Sequence, residues 1–475
     1  YKEKISSGKH FHYVLCLSEA KGMDITMKNP MESKPVFPLL MSMAVPPMVS
    51  MLIQSMYNIV DSIFVARLGE EALTAVSLAY PLQNLVLAVA VGLGVGANAG
   101  IARNLGAKNQ DRVDRIAAHT IFFTAVHAII FILVGIFLTK PFLQMFTPNE
   151  NVLRWGCEYS YIVICLSSGS LFHIAIEKMF QSCGDMVIPM AMQALGAIIN
   201  IILDPIMIFG YFGFPALGVK GAAIATVIGQ FAACICSVIL FVVRCKEIKI
   251  RFKGFRLDKT IVSQLYVVAI PSTIMMSLPS ILIGILNGIL AAISQAGVAV
   301  FGIYFKLQSF VYMPGNGVIQ GMRPMISYSY GAKQYDRLKE TIEVSVLVSG
   351  VIMILGTMLF VLLPRPILEL FKAGDEMMTM GETALRIIGT GFIFSAVSTV
   401  FAGVFEALGR GVESLVVSLL RQLVIIVPVS LVLVRFLGVT GVWISFTVAE
   451  IIAMVISIIL LRRTLHRLVE RSTNS

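Results

Sequence analysis

Apolar stretches long enough to cross a membrane alternate with short polar breaks along almost the whole chain. Six of them, at about 36–66, 73–102, 116–139, 153–180, 187–209 and 218–243, precede a basic segment at 244–259. Six more follow, at about 263–293, 297–327, 342–363, 381–408, 414–434 and 440–461. Because a transmembrane helix needs about 20 mostly apolar residues, the pattern predicts an all-α integral membrane protein with 12 transmembrane helices.

The basic segment is the only long hydrophilic break between the apolar stretches, and it divides the spans into two six-helix lobes. We expect five regions, which are a cytoplasmic N-terminal segment at 1–35, a first lobe at 36–243, a cytoplasmic linker at 244–262, a second lobe at 263–461 and a cytoplasmic tail at 462–475.

Composition supports a membrane protein, since 57% of the 475 residues are hydrophobic and 13% are charged. Soluble domains have about 45–50% apolar and about 25% charged residues, so an ordinary soluble domain is excluded. The net charge of +10 could suggest nucleic acid, but most Lys and Arg residues lie in alternate loops. The positive-inside rule then predicts a multi-pass plasma-membrane protein with both termini cytoplasmic and no nucleic-acid partner.

The seven cysteines lie mostly within apolar runs. They form no CxxC pair and no Cys/His cluster with metal-site spacing. We therefore interpret them as small core residues, and the sequence predicts no cofactor.

The two halves of the chain are repeats of each other. GAKNQDRV at 106–113 recurs as GAKQYDRL at 331–338, an offset of 225 residues. The same offset relates the pairs Pro46/Pro271, Gly92/Gly317 and Gly96/Gly321. Since each half has an even number of spans, both halves face the same way, which predicts a parallel repeat about an axis along the membrane normal. Two equivalent lobes suggest a central cavity and alternating access.

One acidic residue stands inside the first span. Asp61 follows Gln54, Tyr57 and Asn58 by seven, four and three residues, which places the four side chains on one face of a helix. A carboxylate at mid-membrane costs about 2.5–3.5 kcal/mol, so it normally faces a cavity or a partner. The alternative is that Asp61 only hydrogen-bonds a neighbouring helix.

The fifth span repeats this pattern with Gln193, Asn200 and Asp204 at spacings of seven and four, and Pro205 comes next. Proline removes a backbone donor and frees carbonyls that can bind a cation or water. The alternative is an aspartate that caps a kinked helix end.

Four motifs in order carry a family resemblance. They are Pro46 followed by Asp61 in QSMYNIVDSIFVARLG, GAKNQDR after the second span, FQSCGDMVIPM at 180–190 and NIILDPIMIFG at 200–210. Across nearly all of 31–465, the chain resembles the multidrug and toxic compound extrusion transporters. The resemblance implies a cation-coupled antiporter that exports bulky, often cationic organic compounds against an inward flow of Na⁺ or H⁺.

The resemblance also implies roles for particular residues. A cation or proton site in the first lobe would comprise Asp61, Asn200, Asp204 and Thr226. Oxygen ligands of this kind suit Na⁺, whereas a desolvated carboxylate pair suits H⁺. Pro46 and Pro47 would hinge the first span, although a static kink is an alternative because membrane helices tolerate proline.

The second lobe lacks counterparts of this site, because the offset of 225 places Leu286, Ile425 and Val429 where the first lobe has Asp61, Asn200 and Asp204. Coupling should therefore be one-sided. Glu406 lies near one end of the tenth span. Glu450, in the twelfth span, is either functional or paired within its lobe.

The residues expected to line a substrate cavity are polar. The first lobe contributes Gln54, Tyr57, Asn58, Gln193 and Glu177, and Glu177 would pair either with a cationic substrate or with Lys178. The second lobe contributes Asn287, Gln308, Tyr312 and Asn316. The expected partners are the lipid bilayer and small cationic organic molecules, and the expected state is a monomer.

A lipid-linked saccharide flippase and an integral membrane enzyme are the alternative functions. A lipid-linked saccharide flippase would need several basic residues in the cavity, and Lys306 and Arg323 are the candidates. An integral membrane enzyme would need a reactive constellation. His119, His127 and His173 have no matching acid or nucleophile at motif spacing, so the sequence does not favour an enzyme.

Overall fold

The structure is a computed structural model that describes residues 30–371 and 374–473. All regular secondary structure in these residues is helical. It comprises α-helices, one 3₁₀ turn at Tyr211–Gly213 and one π-helical turn at Leu420–Val424. The α-helices are α1 Pro30–Ser33, α2 Val36–Ala66, α3 Glu70–Gly106, α4 Gln110–Gln144, α5 Glu150–Cys165, α6 Ser168–Ser182, α7 Val187–Phe209, α8 Val219–Arg244, α9 Lys259–Ala291, α10 Gln295–Gly331, α11 Tyr335–Leu362, α12 Pro364–Leu370, α13 Asp375–Ala407, α14 Gly411–Leu419, α15 Ile426–Leu437 and α16 Val439–Thr473.

The prediction of twelve spans is confirmed. Within the described residues, 11 helices are long and apolar enough to cross a membrane, with α14 and α15 counted as one span through the π-helical turn. The twelfth span is the pair α5 and α6, which is bent by 42° at the break between them.

Some predicted boundaries differ from the structure. The seventh span begins at Lys259 rather than at 263. The last helix runs to Thr473, so the predicted tail from 462 continues the twelfth span as helix. Most of the predicted N-terminal segment, at 1–29, lies outside the described residues, as do 474–475. Hydropathy detects only the part of a helix that lies in lipid, and therefore misses polar turns at helix ends.

Side-chain caps begin several spans at the positions where the sequence turns polar. Asn109 accepts a hydrogen bond from Arg112 N at the start of α4. The Asp258 carboxylate accepts one from Thr260 N at 2.8 Å and so begins α9. Such caps satisfy backbone donors that have no partner within the helix.

The two lobes meet through glycines that the repeat duplicates. A Cβ on Gly92 of α3 would collide with Ala269 and Thr273 of α9. At the offset of 225, a Cβ on Gly317 of α10 would collide with Ala44 and Met48 of α2. Equivalent helix pairs thus meet twice, which confirms the parallel repeat.

A further symmetric pair closes the end of the molecule at which the 244–258 linker lies, here called the linker side. Gly106 approaches the carbonyl of Tyr328, and Gly331 approaches the carbonyl of Arg103. Since Tyr328 follows Arg103 at the same offset, the ends of α3 and α10 cross with no room for side chains. The lobes are thus packed together on the linker side.

Candidate ion and substrate site

Two carboxylates from the first and fifth spans meet in the first lobe. Asp61 of α2 lines the cavity described below, and its carboxyl group lies beside that of Asp204 on α7. Asp204 is fully buried. Among the described residues, Asp61 Oδ1 is buried without a hydrogen-bond partner. Two adjacent carboxylates with a free oxygen favour the binding of a proton or a cation between them.

Asn200 and Thr226 complete this group, as the resemblance implied. When the Asn200 amide is oriented with its oxygen toward Thr226, its nitrogen donates a hydrogen bond to Asp204 Oδ2 at 2.9 Å. Its oxygen then accepts one from Thr226 N at 3.0 Å. The amide oxygen is also 3.2 Å from Thr226 Oγ1. Asn200 and Thr226 are buried, so these bonds hold the Asp204 carboxylate in place.

The packing of α7 against α8 explains how Thr226 reaches the site. The backbones of the two helices approach closely, since a Cβ on Gly229 of α8 would be 2.7 Å from the carbonyl oxygen of Gly196 of α7. Pro205 does not end α7, because the helix continues to Phe209. The alternative of an aspartate at a kinked helix end is therefore wrong.

Two tyrosines, Tyr57 and Tyr159, form an outer layer of the site, and only Tyr57 was predicted from the sequence. Tyr57 lines the cavity together with Asp61 and Thr226. Tyr159 of α5, which is 3% exposed, accepts a hydrogen bond from Gln83 Nε2 at 3.2 Å. Tyr159 lies within an apolar run, where an aromatic residue is usually core, so no sequence signal separated it from packing residues.

A cavity of about 1090 Å³ opens beside the carboxylates. Its lining includes all the first-lobe residues predicted for it, which are Gln54, Tyr57, Asn58, Gln193 and Glu177. The second lobe contributes Met276, Lys306, Gln320 and Arg323. The cavity is therefore built mainly from the first lobe.

The second-lobe residues predicted for the substrate cavity do not line this one. Asn287, Gln308, Tyr312 and Asn316 lie outside its lining. Tyr312 instead packs under the guanidinium of Arg421, which is 5.5 Å from its ring centre. A four-residue spacing shows which residues share a helix face, but it does not show which neighbour that face meets.

Glu177 is paired within the protein. Its Oε1 atom lies 2.8 Å from Lys178 Nζ and also accepts a hydrogen bond from Gln181 at 2.8 Å. Lys178 Nζ reaches across to Gln320 of the other lobe at 3.3 Å. Of the two predicted partners for Glu177, the structure shows Lys178.

Apolar residues occupy the equivalent place in the second lobe. Leu286 is fully buried and Ile425 is 9% exposed, and both belong to an apolar core. Glu450 pairs with Arg421. Glu406 pairs with Arg323 at 2.5 Å and accepts a hydrogen bond from Ser272 at 2.7 Å. Both acids are thus paired with an arginine of the second lobe.

The predicted hinge lies in an unbroken helix. Pro46 and Pro47 are buried inside α2, which is helical from Val36 to Ala66. They stand next to Ala44 and Met48, the residues that contact Gly317. A bend here would act at the interface between the lobes, and the hinge remains a prediction.

Twelve spans in two symmetric lobes around a one-sided cavity define the class of the protein as a two-lobed membrane transporter. A family model described as MatE matches residues 46–206 and 269–432. The chain belongs to this family, the multidrug and toxic compound extrusion transporters, and it is a multi-pass membrane protein.

Two relatives cover most of the chain. The multidrug export protein MepA of Staphylococcus aureus (strain MSSA476) is 26% identical over 424 residues, which are 88% of this chain and 92% of MepA. The probable multidrug resistance protein YoeA of Bacillus subtilis (strain 168) is 26% identical over 420 residues, 87% of this chain and 90% of YoeA.

Solved structures show the same fold. A multidrug resistance MATE family transporter in an outward-facing conformation has a TM-score of 0.87 at 22% identity, and the match covers 94% of this chain and 100% of that one. A MATE protein in the bent conformation has a TM-score of 0.86 at 25% identity over 92% of this chain and 96% of that one.

Proposed function

We propose that this protein is an antiporter that exports bulky organic compounds, cations among them, in exchange for inward-moving H⁺ or Na⁺. The observation that carries the proposal is the contact between Asp61, which lines the cavity, and the fully buried Asp204. A multidrug efflux role is supported by relatives that are named as multidrug export and resistance proteins.

The charge balance of the site supports coupling to a cation. Among the described residues, neither Asp61 nor Asp204 forms an ion pair, whereas Glu177, Glu406 and Glu450 each do. An unpaired charge is costly inside a membrane. A bound proton or Na⁺ would lower that cost, and the carboxylates, Asn200 and Thr226 supply the oxygen ligands.

The proposed cycle uses the position of Asp61 between site and cavity. With the lobes packed on the linker side, the cavity receives the coupling ion from the opposite side. Binding of H⁺ or Na⁺ reduces the negative charge of the carboxylate pair and so weakens its attraction for a cationic substrate in the cavity. Substrate leaves, and the ion-bound protein changes conformation. Competition for one charged site is enough to link the two flows.

Transport in proteoliposomes tests this function. We expect the purified protein to move a cationic dye when a pH or Na⁺ gradient is imposed. D61N and D204N should lose the gradient-driven flux, because an amide neither releases a proton nor supplies an anionic ligand. E376Q removes a carboxylate from an exposed position at the start of α13 and should transport like the wild type.

Equal rates in wild type, D61N and D204N at equal reconstitution would refute cation coupling at this site. Imposing the two gradients separately identifies the ion. Flux driven by pH alone indicates H⁺, and flux driven by Na⁺ at equal pH indicates Na⁺.

A lipid-linked saccharide flippase is less well supported. Such a protein would need free basic groups to hold a phosphate, but Lys178 and Arg323 are paired with Glu177 and Glu406. Among the described cavity residues, this leaves Lys306 for an anionic head group. We further propose that the protein acts as a monomer in the plasma membrane, with both termini in the cytoplasm.

A further inference from the structure

Two cysteines that are far apart in the sequence meet on the linker side of the first lobe. Cys183 caps the end of α6 and Cys245 caps the end of α8. Their sulfur atoms are 4.0 Å apart. The contact was not visible in the sequence, where both residues were interpreted as core, because no short spacing relates them.

Helix packing fixes this meeting point. The fourth and sixth spans both end on the linker side, and α6 packs against α8. Phe180 and Phe241, about one turn before the two helix ends, are in edge-to-face contact with ring centres 5.4 Å apart. The cysteines that follow them therefore lie side by side, at the border between apolar core and solvent.

A carboxylate completes a group of three possible ligands. One oxygen of Glu247 and the two sulfur atoms all lie within 4.8 Å of one another. The segment around Glu247 is held in place, since Gln110 Nε2 donates a hydrogen bond to the Glu247 backbone carbonyl at 2.7 Å. Asp114 accepts a hydrogen bond from Lys249 N at 2.9 Å. Both anchors come from the first turns of α4.

We propose that Cys183, Cys245 and Glu247 form a binding site for a thiophilic divalent cation such as Zn²⁺ or Cd²⁺. In tetrahedral sites with Zn–S bonds of about 2.3 Å, two thiolate sulfurs are about 3.8 Å apart, close to the distance found here. A disulfide would require the sulfurs to approach to about 2.05 Å. Binding releases the two thiol protons, and the site ties the ends of the fourth and sixth spans together.

The surroundings suit such an ion. Cys245 is 8% exposed and the neighbouring Ile248 is 3% exposed, so the sulfur side of the site is shielded from water. Glu247 is exposed, so a cation can enter from solvent. With three protein ligands, a water molecule can take the fourth position.

Titration of the purified full-length protein with Cd²⁺ tests the site, because thiolate-to-cadmium charge transfer absorbs in the ultraviolet. We expect saturation at one Cd²⁺ per chain in the wild type and loss of the band in C183S and C245S. C157S removes a half-buried cysteine of α5 and should keep the band. E247Q, at an exposed position, should fold normally and bind Cd²⁺ more weakly.

Three results would overturn the proposal. They are no charge-transfer band in the reduced wild type, an unchanged band in both C183S and C245S, or an affinity in E247Q equal to that of the wild type. A second measurement does not depend on the band. Zn²⁺ should raise the Tm of the wild type and leave that of C183S unchanged, and an equal rise in both contradicts the site.

Discussion

Arg421 and Glu450 form an ion pair in the interior of the second lobe, with 3.2 Å between Nε and Oε1. Arg421 stands on the π-helical turn at Leu420–Val424, and Ser398 donates a second hydrogen bond to the Glu450 carboxylate at 3.3 Å. The acid in the interior of the second lobe is therefore balanced by a basic side chain of the protein, that of Arg421. The first lobe has a carboxylate pair at its centre and, in the described residues, no arginine or lysine paired with it.

Breaking this ion pair should destabilise the protein. The Arg421 and Glu450 side chains are 14% and 12% exposed, and removing one partner of a buried pair costs about 3–5 kcal/mol because the other charge is left unpaired. We expect R421M and E450M each to lower the Tm in detergent.

The double variant R421M/E450M provides the control for that experiment. It leaves no unpaired charge, so it should recover much of the loss. A double variant that is destabilised by the sum of the two single losses would show that the charges do not interact.

Adding a methyl group at the duplicated glycines should shift the conformation of the transporter. A Cβ on Gly96 would lie 2.5 Å from the carbonyl oxygen of Leu265. Overpacking of this kind costs about 1–3 kcal/mol, which lowers the population of the closed linker side by roughly 5–150-fold.

This shift can be followed through the cavity residue Ser62. A membrane-impermeant thiol reagent, applied from the side opposite the linker, should label S62C more slowly when G96A is also present. G284A is the matched control, since a Cβ at Gly284 meets nothing within 4 Å. Equal labelling in the G96A and G284A backgrounds would contradict the role given to the contact.

The distribution of Lys and Arg residues predicts that the linker side of the protein faces the cytoplasm. Phe252 in the linker and Phe212 at the opposite end are 50% and 90% exposed. In intact cells, an impermeant thiol reagent should label F212C and spare F252C until the membrane is permeabilised. The reverse pattern would invert the predicted topology.

The stabilisation of α9 by its N-terminal cap, the Asp258 carboxylate, should depend on pH. The backbone hydrogen bond from Thr260 holds the pKa of the Asp258 carboxyl below its usual value. A lowered pKa means that the cap stabilises the fold above the unfolded-state pKa of about 3.9, and that this contribution is lost as the pH falls through the lower folded-state value.

Hydrogen exchange of the 259–265 peptide measures this effect. We expect protection, corrected for intrinsic rates, to fall at low pH in the wild type. D258N should keep its protection, because an asparagine oxygen accepts the same bond at any pH. Parallel pH profiles for the two proteins would show that the carboxylate is not responsible.

The sequence by itself determined the twelve spans, the two lobes and their parallel repeat. Hydropathy and internal identity are local properties, and lipid leaves a continuous apolar helix as the main solution for each stretch. The scarcity of charge within the spans also singled out Asp61 and Asp204, whose contact the structure then supplied.

Only the tertiary structure decided which faces meet. The contacts of Lys178 with Gln320 and of Cys183 with Cys245 join residues 142 and 62 positions apart. The structure also placed the cavity in the first lobe and left Tyr312 out of its lining. Helical spacing defines a face but not its neighbour, because the neighbour is chosen by packing between helices that are distant in the chain.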